Sequence, residues 1–176
     1  MIENRPDGED RTELERMTIF LIGFMGSGKT TIAQLLAADF IDMDQEIVDR
    51  IGMPISTFFA EAGEAAFREV ESQILAELVQ TDGVIATGGG VVTSADNRRI
   101  LGESNAEIIY LKSDFETLYQ QISADTTNVR PLFVDKSREE LQALFETRTP
   151  LYEAIATQTV TISGKRPDAI IKEIQR

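Results

Sequence analysis

The stretch MTIFLIGFMGSGKT, residues 17–30, governs the reading of the rest of the chain. Its first six residues form an apolar run of strand length that ends at Gly23. A short continuous run of this kind, closed by glycine, suits a strand buried on both faces of a parallel sheet. The next eight residues, GFMGSGKT, fit the pattern G-x-x-x-x-G-K-[ST]. The glycines let the backbone curl around a phosphate with its N–H groups pointing inward, and a following helix presents its positive N-terminus to the same anion. Lys29 is placed to reach the β- and γ-phosphates, and Thr30 to set its hydroxyl on Mg²⁺, with Gly26, Ser27, Gly28 and Thr31 completing the cradle. A glycine-rich turn with an incidental lysine shares the composition, but a strand before and a helix after are the context that the motif requires. The domain is expected to bind a nucleoside triphosphate.

Outward from this loop, strand-like and helix-like stretches alternate. Helices are expected over 29–38, 45–50 and 64–79, the last carrying Phe67, Val70, Ile74, Leu75 and Leu78 at helical spacing. Short strands are expected over 40–42, 84–86, 106–111 and 159–162, with Asp114 as the N-cap of the helix after the fourth strand and a closing helix over 168–175. Such alternation means an α/β domain with a central, mostly parallel five-stranded sheet flanked by helices. Residues 1–16 are polar, contain Pro6 and Gly8 and lack a sustained apolar period, so they are read as a flexible extension, with Met17 an alternative candidate for the natural start. The domain proper is then 17–176. Residues 124–137 have turn chemistry and no period, which reads as a mobile lid over a site.

Composition narrows the chemistry. With 176 residues, 42% hydrophobic and 27% charged, the chain suits one folded domain. It contains no Cys and no His, which removes thiol catalysis, imidazole acid–base chemistry and the usual zinc sites. Any metal is then a hard cation on oxygen ligands, and any base a carboxylate, Lys or Tyr. The net charge of −13 repels polyanions, so nucleic acid is not an expected partner. No bilayer-length apolar run and no signal-peptide pattern are present, so the expectation is a cytoplasmic protein with no membrane partner, acting as a monomer on small molecules. A small anionic substrate meets the same repulsive field and needs a few well-placed cations to be captured.

Further motifs supply them. In Asp42-Met43-Asp44, alternate residues of an extended segment point the same way, so one carboxylate can hold a water of the Mg²⁺ shell while the other takes a proton from a hydroxyl. The same pattern is also that of a helix cap or a solvated turn. Gly88, Gly89 and Gly90 follow a strand and leave bare backbone where a ligand can approach, or else make a flexible turn. Arg68 and Glu71 are spaced to pair on one helix, either as a surface ion pair or as a carboxylate that fixes a guanidinium for bidentate grip on an acid. Arg130 lies in the suspected lid, where a cation can reach a transferring phosphate. Arg148 is expected near the end of a helix, where the dipole favours a cation.

Taken together, GFMGSGKT at 23–30, FIDMD at 40–44, GEAAFREVE at 63–71, ATGGG at 86–90, VRPL at 129–132 and RTPLYEAIA at 148–156 resemble the shikimate kinase family, in that family's order. The resemblance implies a three-layer P-loop kinase fold and ATP-dependent phosphorylation of the shikimate 3-hydroxyl. It implies that Lys29 contacts phosphates, that Thr30 and, through water, Asp42 hold Mg²⁺, and that Asp44 binds shikimate hydroxyls and acts as base. It assigns the shikimate carboxylate to Arg68 and Arg148, with Glu71 orienting Arg68, and the substrate pocket to Gly88, Gly89 and Gly90. Arg130 would neutralise the moving phosphoryl group, and Arg166, in KRP at 165–167, would sit on the adenine side. Two departures stand out. The link between Ala37 and Phe40 is shorter than the family's, so either the helix ends early or a loop is missing from the numbering. Many members of the family also carry a basic residue in the lid ahead of Arg-Pro-Leu, whereas here Ser123 and its neighbours are uncharged or acidic. The alternatives are another small-molecule kinase of this fold, for gluconate or a nucleotide, and a catalytically silent nucleotide-binding module.

Overall fold

A computed structural model describes residues 17–124 and 136–174. Five strands form one sheet: β1 (Thr18–Ile22), β2 (Ile41–Asp42), β3 (Gly83–Ala86), β4 (Glu107–Lys112) and β5 (Gln158–Thr161). They lie in the order β2-β3-β1-β4-β5, and every pairing is parallel. Among the described residues there are seven α-helices: α1 (Lys29–Leu36), α2 (Met43–Ile51), α3 (Ile55–Leu78), α4 (Ala95–Glu103), α5 (Phe115–Ala124), α6 (Arg138–Ile155) and α7 (Pro167–Ile174). A 3₁₀ turn, Val91–Thr93, joins β3 to α4.

The side-chain alternation of β1 explains the three layers. Phe20 and Ile22 enter one core with α2 to α6, whereas Leu21 enters the other with Ile32 and Ala33 of α1 and Ile170 and Ile174 of α7. A strand buried on both faces has no polar positions to alternate with, which is why it reads as a continuous apolar run. Register then aligns the exits. Leu21 lies opposite Ala86, and Ala86 opposite Asp42, so Gly23, Thr87 and the start of α2 leave the sheet along one edge. Ligands of open α/β sheets bind beyond the carboxyl ends of the strands.

Several expected boundaries move. Helix α1 stops at Leu36, Ala37 is extended, and the Phe40 N–H donates to the Ala37 carbonyl at 3.2 Å. The short 37–40 link is thus made by ending the helix early. Helix α2 begins directly after β2, so Asp42 and Asp44 are not alternate residues of one extended segment: Asp42 caps the helix, its Oδ1 accepting from the Asp44 N–H at 3.0 Å, and Asp44 lies in the first turn. Helix α3 starts nine residues before the expected 64, and Gly63 (φ 86°, ψ 170°) breaks its path. Asp114 caps α5 as expected, accepting from the Thr117 N–H at 2.8 Å, and this bond is the leading cause that lowers its carboxyl below the usual range. Arg148 is interior to α6 rather than near its end, so the dipole argument does not apply to it. The lid expected over 124–137 falls largely outside the described residues, as does the extension 1–16.

Candidate active site

Beyond the carboxyl ends of β1, β2 and β3 lies a cavity of about 810 Å³. The phosphate loop forms one wall. Gly28 immediately precedes α1 at φ 83°, a left-handed conformation with open space around a would-be Cβ, so glycine is needed there for its backbone alone. Lys29 Nζ curls over the loop and donates to the carbonyls of Gly23 at 2.7 Å and Phe24 at 3.1 Å. Gly26, Gly28, Lys29, Thr30 and Thr31 face the cavity. Ser27 is buried within the loop and is not among the lining residues; its N–H braces the turn on the Phe24 carbonyl at 3.2 Å.

Asp42 and Asp44 both reach the same cavity, although by a strand-to-helix junction rather than by alternation. Asp42 spends one oxygen on the cap, which leaves the other for a ligand.

The opposite wall carries the cations. Arg148 is 2% exposed, and its Nε and Nη1 have no hydrogen-bond partner among the described residues. Burial pushes its pKa below the ordinary guanidinium value, against the opposing influence of Tyr152; a guanidinium nevertheless stays charged across the physiological range. Its Cζ lies 5.9 Å from the ring centre of Phe24, and Phe24 packs edge-on against Phe145 of α6 at 5.5 Å, which ties the phosphate loop to this arginine's helix. Arg68 is held by Glu71, with Nη1 at 3.0 and 3.2 Å from the two carboxylate oxygens. Its Nη2 lies 3.6 Å from Glu64, and its Nε is also unpartnered among the described residues. Glu71 is 1% exposed, and burial raises its pKa above the usual carboxylate range despite the charge of Arg68. A buried arginine with two idle donors and, among the described residues, no ion pair with a carboxylate fits an anionic ligand supplied from outside.

The glycine triplet is explained by space. A Cβ at Gly88 would lie 3.0 Å from Asp44 Oδ1, at Gly89 3.2 Å from the Met25 backbone N, and at Gly90 2.8 Å from Arg68 Cζ. None of the three has a positive φ. At Gly90 the Arg68 guanidinium occupies the place of a side chain, whereas at Gly88 and Gly89 a Cβ would be a tight contact. Tyr152, stacked on Tyr110 at 5.1 Å and fully buried, donates its hydroxyl to the Gly89 carbonyl, and burial pushes its pKa well up. Ile55, Phe59 and Phe67 add an apolar flank beside Arg68.

The structure thus brings together Lys29, Thr30, Asp42, Asp44, Arg68, Arg148 and the three glycines. Arg166 is exposed just before α7 and does not line the cavity, and Arg130 lies outside the described residues. Tyr152 and the apolar flank were not foreseen. The spacing of Tyr152 four residues after Arg148 was a usable signal, since it puts both on one helix face. A buried amide, Asn97, left no local signature.

Comparison with known proteins agrees with this geometry. A family model described as shikimate kinase matches residues 25–176. The chain is 46% identical to a shikimate kinase of Streptococcus gordonii over 160 residues, covering 90% of this chain and 99% of the relative. It is 45% identical to one of Lactococcus lactis subsp. cremoris, covering 90% and 96%. A solved shikimate kinase of Acinetobacter baumannii in complex with shikimate superposes with a TM-score of 0.83 at 34% identity, over 92% of each chain. A gluconokinase of Sinorhizobium meliloti, at 19% identity and a TM-score of 0.51, shares the fold alone. By the family model, these relatives and the site, this chain belongs to the shikimate kinase family, enzymes that phosphorylate shikimate with ATP on the route to aromatic amino acids.

Proposed function

We propose that the residues gathered in this cavity transfer the γ-phosphoryl group of ATP to the 3-hydroxyl of shikimate. The observation that carries the assignment is Arg148, nearly fully buried with two unpartnered donors, facing the same cavity as the phosphate loop. Arg148 and Arg68 take the substrate carboxylate, the latter held by Glu71. Phe59 and Phe67 lie against the carbon ring, and Asp44, across the glycine triplet, orients the hydroxyls and accepts the proton of the one that attacks. Lys29 and the loop N–H groups hold the β- and γ-phosphates. Arg130, outside the described residues, is assigned to charge neutralisation on the phosphoryl group by its sequence motif, and Arg166 to the adenine side by the same argument.

The donors fit Mg²⁺. Thr30 and Asp42 offer hard oxygens on one wall, and among the described residues no cluster of three or more acidic groups builds a closed cage. Such a sparse set suits an ion that keeps several waters and substrate phosphate oxygens. Bound there, Mg²⁺ would offset charge on the phosphates.

No helix among the described residues is long and apolar enough to cross a membrane. The reading takes the protein as a cytoplasmic monomer that acts on small molecules and binds neither nucleic acid nor membrane. Turnover is tested with ATP and Mg²⁺ against shikimate, gluconate and nucleoside monophosphates in parallel. Phosphorylation of shikimate alone is expected. Turnover of gluconate or a nucleotide in its place would overturn the assignment, and none with any acceptor would favour a silent binding module.

A further inference from the structure

Asn97, in the first turn of α4, is fully buried and every polar atom of its amide is engaged. Its Nδ2 donates to Glu71 Oε1 at 3.2 Å and to the Val91 carbonyl at 2.9 Å, and its Oδ1 accepts from the Ser72 hydroxyl at 2.5 Å. The reverse orientation would turn the amide oxygen onto a carboxylate and a carbonyl, three acceptors without a proton, so chemistry fixes the amide as it stands. Its own N–H is braced on the Ser94 cap at 3.3 Å.

The two groups that Asn97 holds are the two sides of one slot. Glu71 grips the Arg68 guanidinium from α3. Val91 follows Gly90, where the missing side chain is the space that guanidinium fills. One amide therefore sets the distance between the carboxylate that aims Arg68 and the turn that abuts it. We propose that Asn97 is a positioning residue for the substrate carboxylate, acting through Glu71 and the Gly90–Val91 turn on Arg68. This rests on the reading of Arg68 as a carboxylate ligand.

The test is steady-state kinetics of Asn97→Asp, which keeps the shape and replaces the donor by an acceptor facing Glu71. Its shikimate KM should rise about tenfold, the cost of one hydrogen bond to a charged group, with ATP KM and kcat nearly unchanged. In a Glu71→Gln background the same substitution should raise it less than about twofold, because coupled neighbours do not add. A packing defect alone would move both KM values together and add to Glu71→Gln, and either result overturns the proposal. So does an unchanged shikimate KM. Should Asn97→Asp fail to fold, Ser72→Ala releases the amide more gently and should raise shikimate KM about threefold, a partial loss of the same bond; no rise overturns the proposal. Wild-type protein runs alongside. Its failure to turn over shikimate sinks the functional reading and this inference with it, whereas normal wild-type turnover with an unmoved variant sinks the inference alone.

Discussion

Arg148 and Asp44 divide the labour at the residue scale, and their variants should fail differently. Arg148 makes no ion pair with an acidic residue among the described residues, so on the proposed reading truncation to Ala removes a buried cation that the substrate carboxylate would pair. Loss of a desolvated, hydrogen-bonded charge partner costs about 2–5 kcal/mol. Arg148→Ala should show this in shikimate KM, with ATP KM unmoved; an unchanged shikimate KM would remove Arg148 from the site. Asp44→Asn keeps size and hydrogen-bonding reach but loses the proton acceptor. It should lower kcat by about 10²–10⁴-fold at a similar KM, the usual contribution of general-base catalysis. A kcat near wild type would mean that Asp44 only orients hydroxyls. Glu71 carries a stability cost instead. Burial outweighs Arg68 and lifts its pKa, so the folded state holds that proton more tightly than the unfolded one. The penalty is full above the raised pKa and vanishes as the pH falls through it toward the ordinary carboxylate value. Glu71→Gln should therefore melt higher than wild type at pH 8, by a margin that shrinks on acidification. A margin that grew in acid would contradict the burial argument.

At the scale of elements, the turn after β3 is shaped by what it leaves out. A Cβ at Gly90 would lie 2.8 Å from both Arg68 Cζ and Nη1, so the guanidinium must move to admit a methyl group. Gly90→Ala should raise shikimate KM about tenfold or more, since a small misplacement of a binding group is costly, while the fold tolerates it because φ there is −93°. A KM within twofold of wild type would show that Arg68 has room to spare. What was legible in the sequence follows from the same local logic. Strand β1 and the loop after it were readable because both are continuous in the chain, and so was the parallel α/β alternation. Of the two geometries that the Asp42–Asp44 pattern offered, strand alternation and a helix cap, the cap is the one that forms. Alternation along a strand requires a strand, and β2 ends at Asp42, whose side chain is used to start α2. Arg148 was expected near a helix end, yet α6 runs on past Pro150 to Ile155. The Thr149 hydroxyl bonds the Phe145 carbonyl at 2.8 Å within that stretch. Tyr152 and Asn97 act through contacts distant in sequence, with Gly89 and Glu71, and no periodicity encodes those.

At the scale of the whole molecule, a chain with a net charge of −13 brings Lys29, Arg68 and Arg148 into one cavity with Asp42, Asp44 and Glu71, a locally balanced set in an otherwise acidic protein. Arg148 and Arg68 also repel one another, which adds to the desolvation of the buried guanidinium. An anion set between the two guanidiniums would offset that repulsion. Ligand that binds only the folded state stabilises it by RT ln(1 + [L]/Kd), about 2.7 kcal/mol at a hundredfold excess over Kd. For a domain of this length each kcal/mol moves the melting temperature by roughly 2–4 °C. Shikimate at that excess should thus raise Tm by about 5–10 °C without any nucleotide present. Its methyl ester has the same ring and hydroxyls but no charge to set between the arginines, and at equal concentration it should give a small fraction of that shift. Arg148→Ala should narrow the difference between the two ligands, leaving only what Arg68 contributes. Equal shifts with acid and ester on the wild-type protein would mean that the ring and hydroxyls dominate recognition, and buried Arg148 with its neighbour Arg68 would then need another anion to explain them.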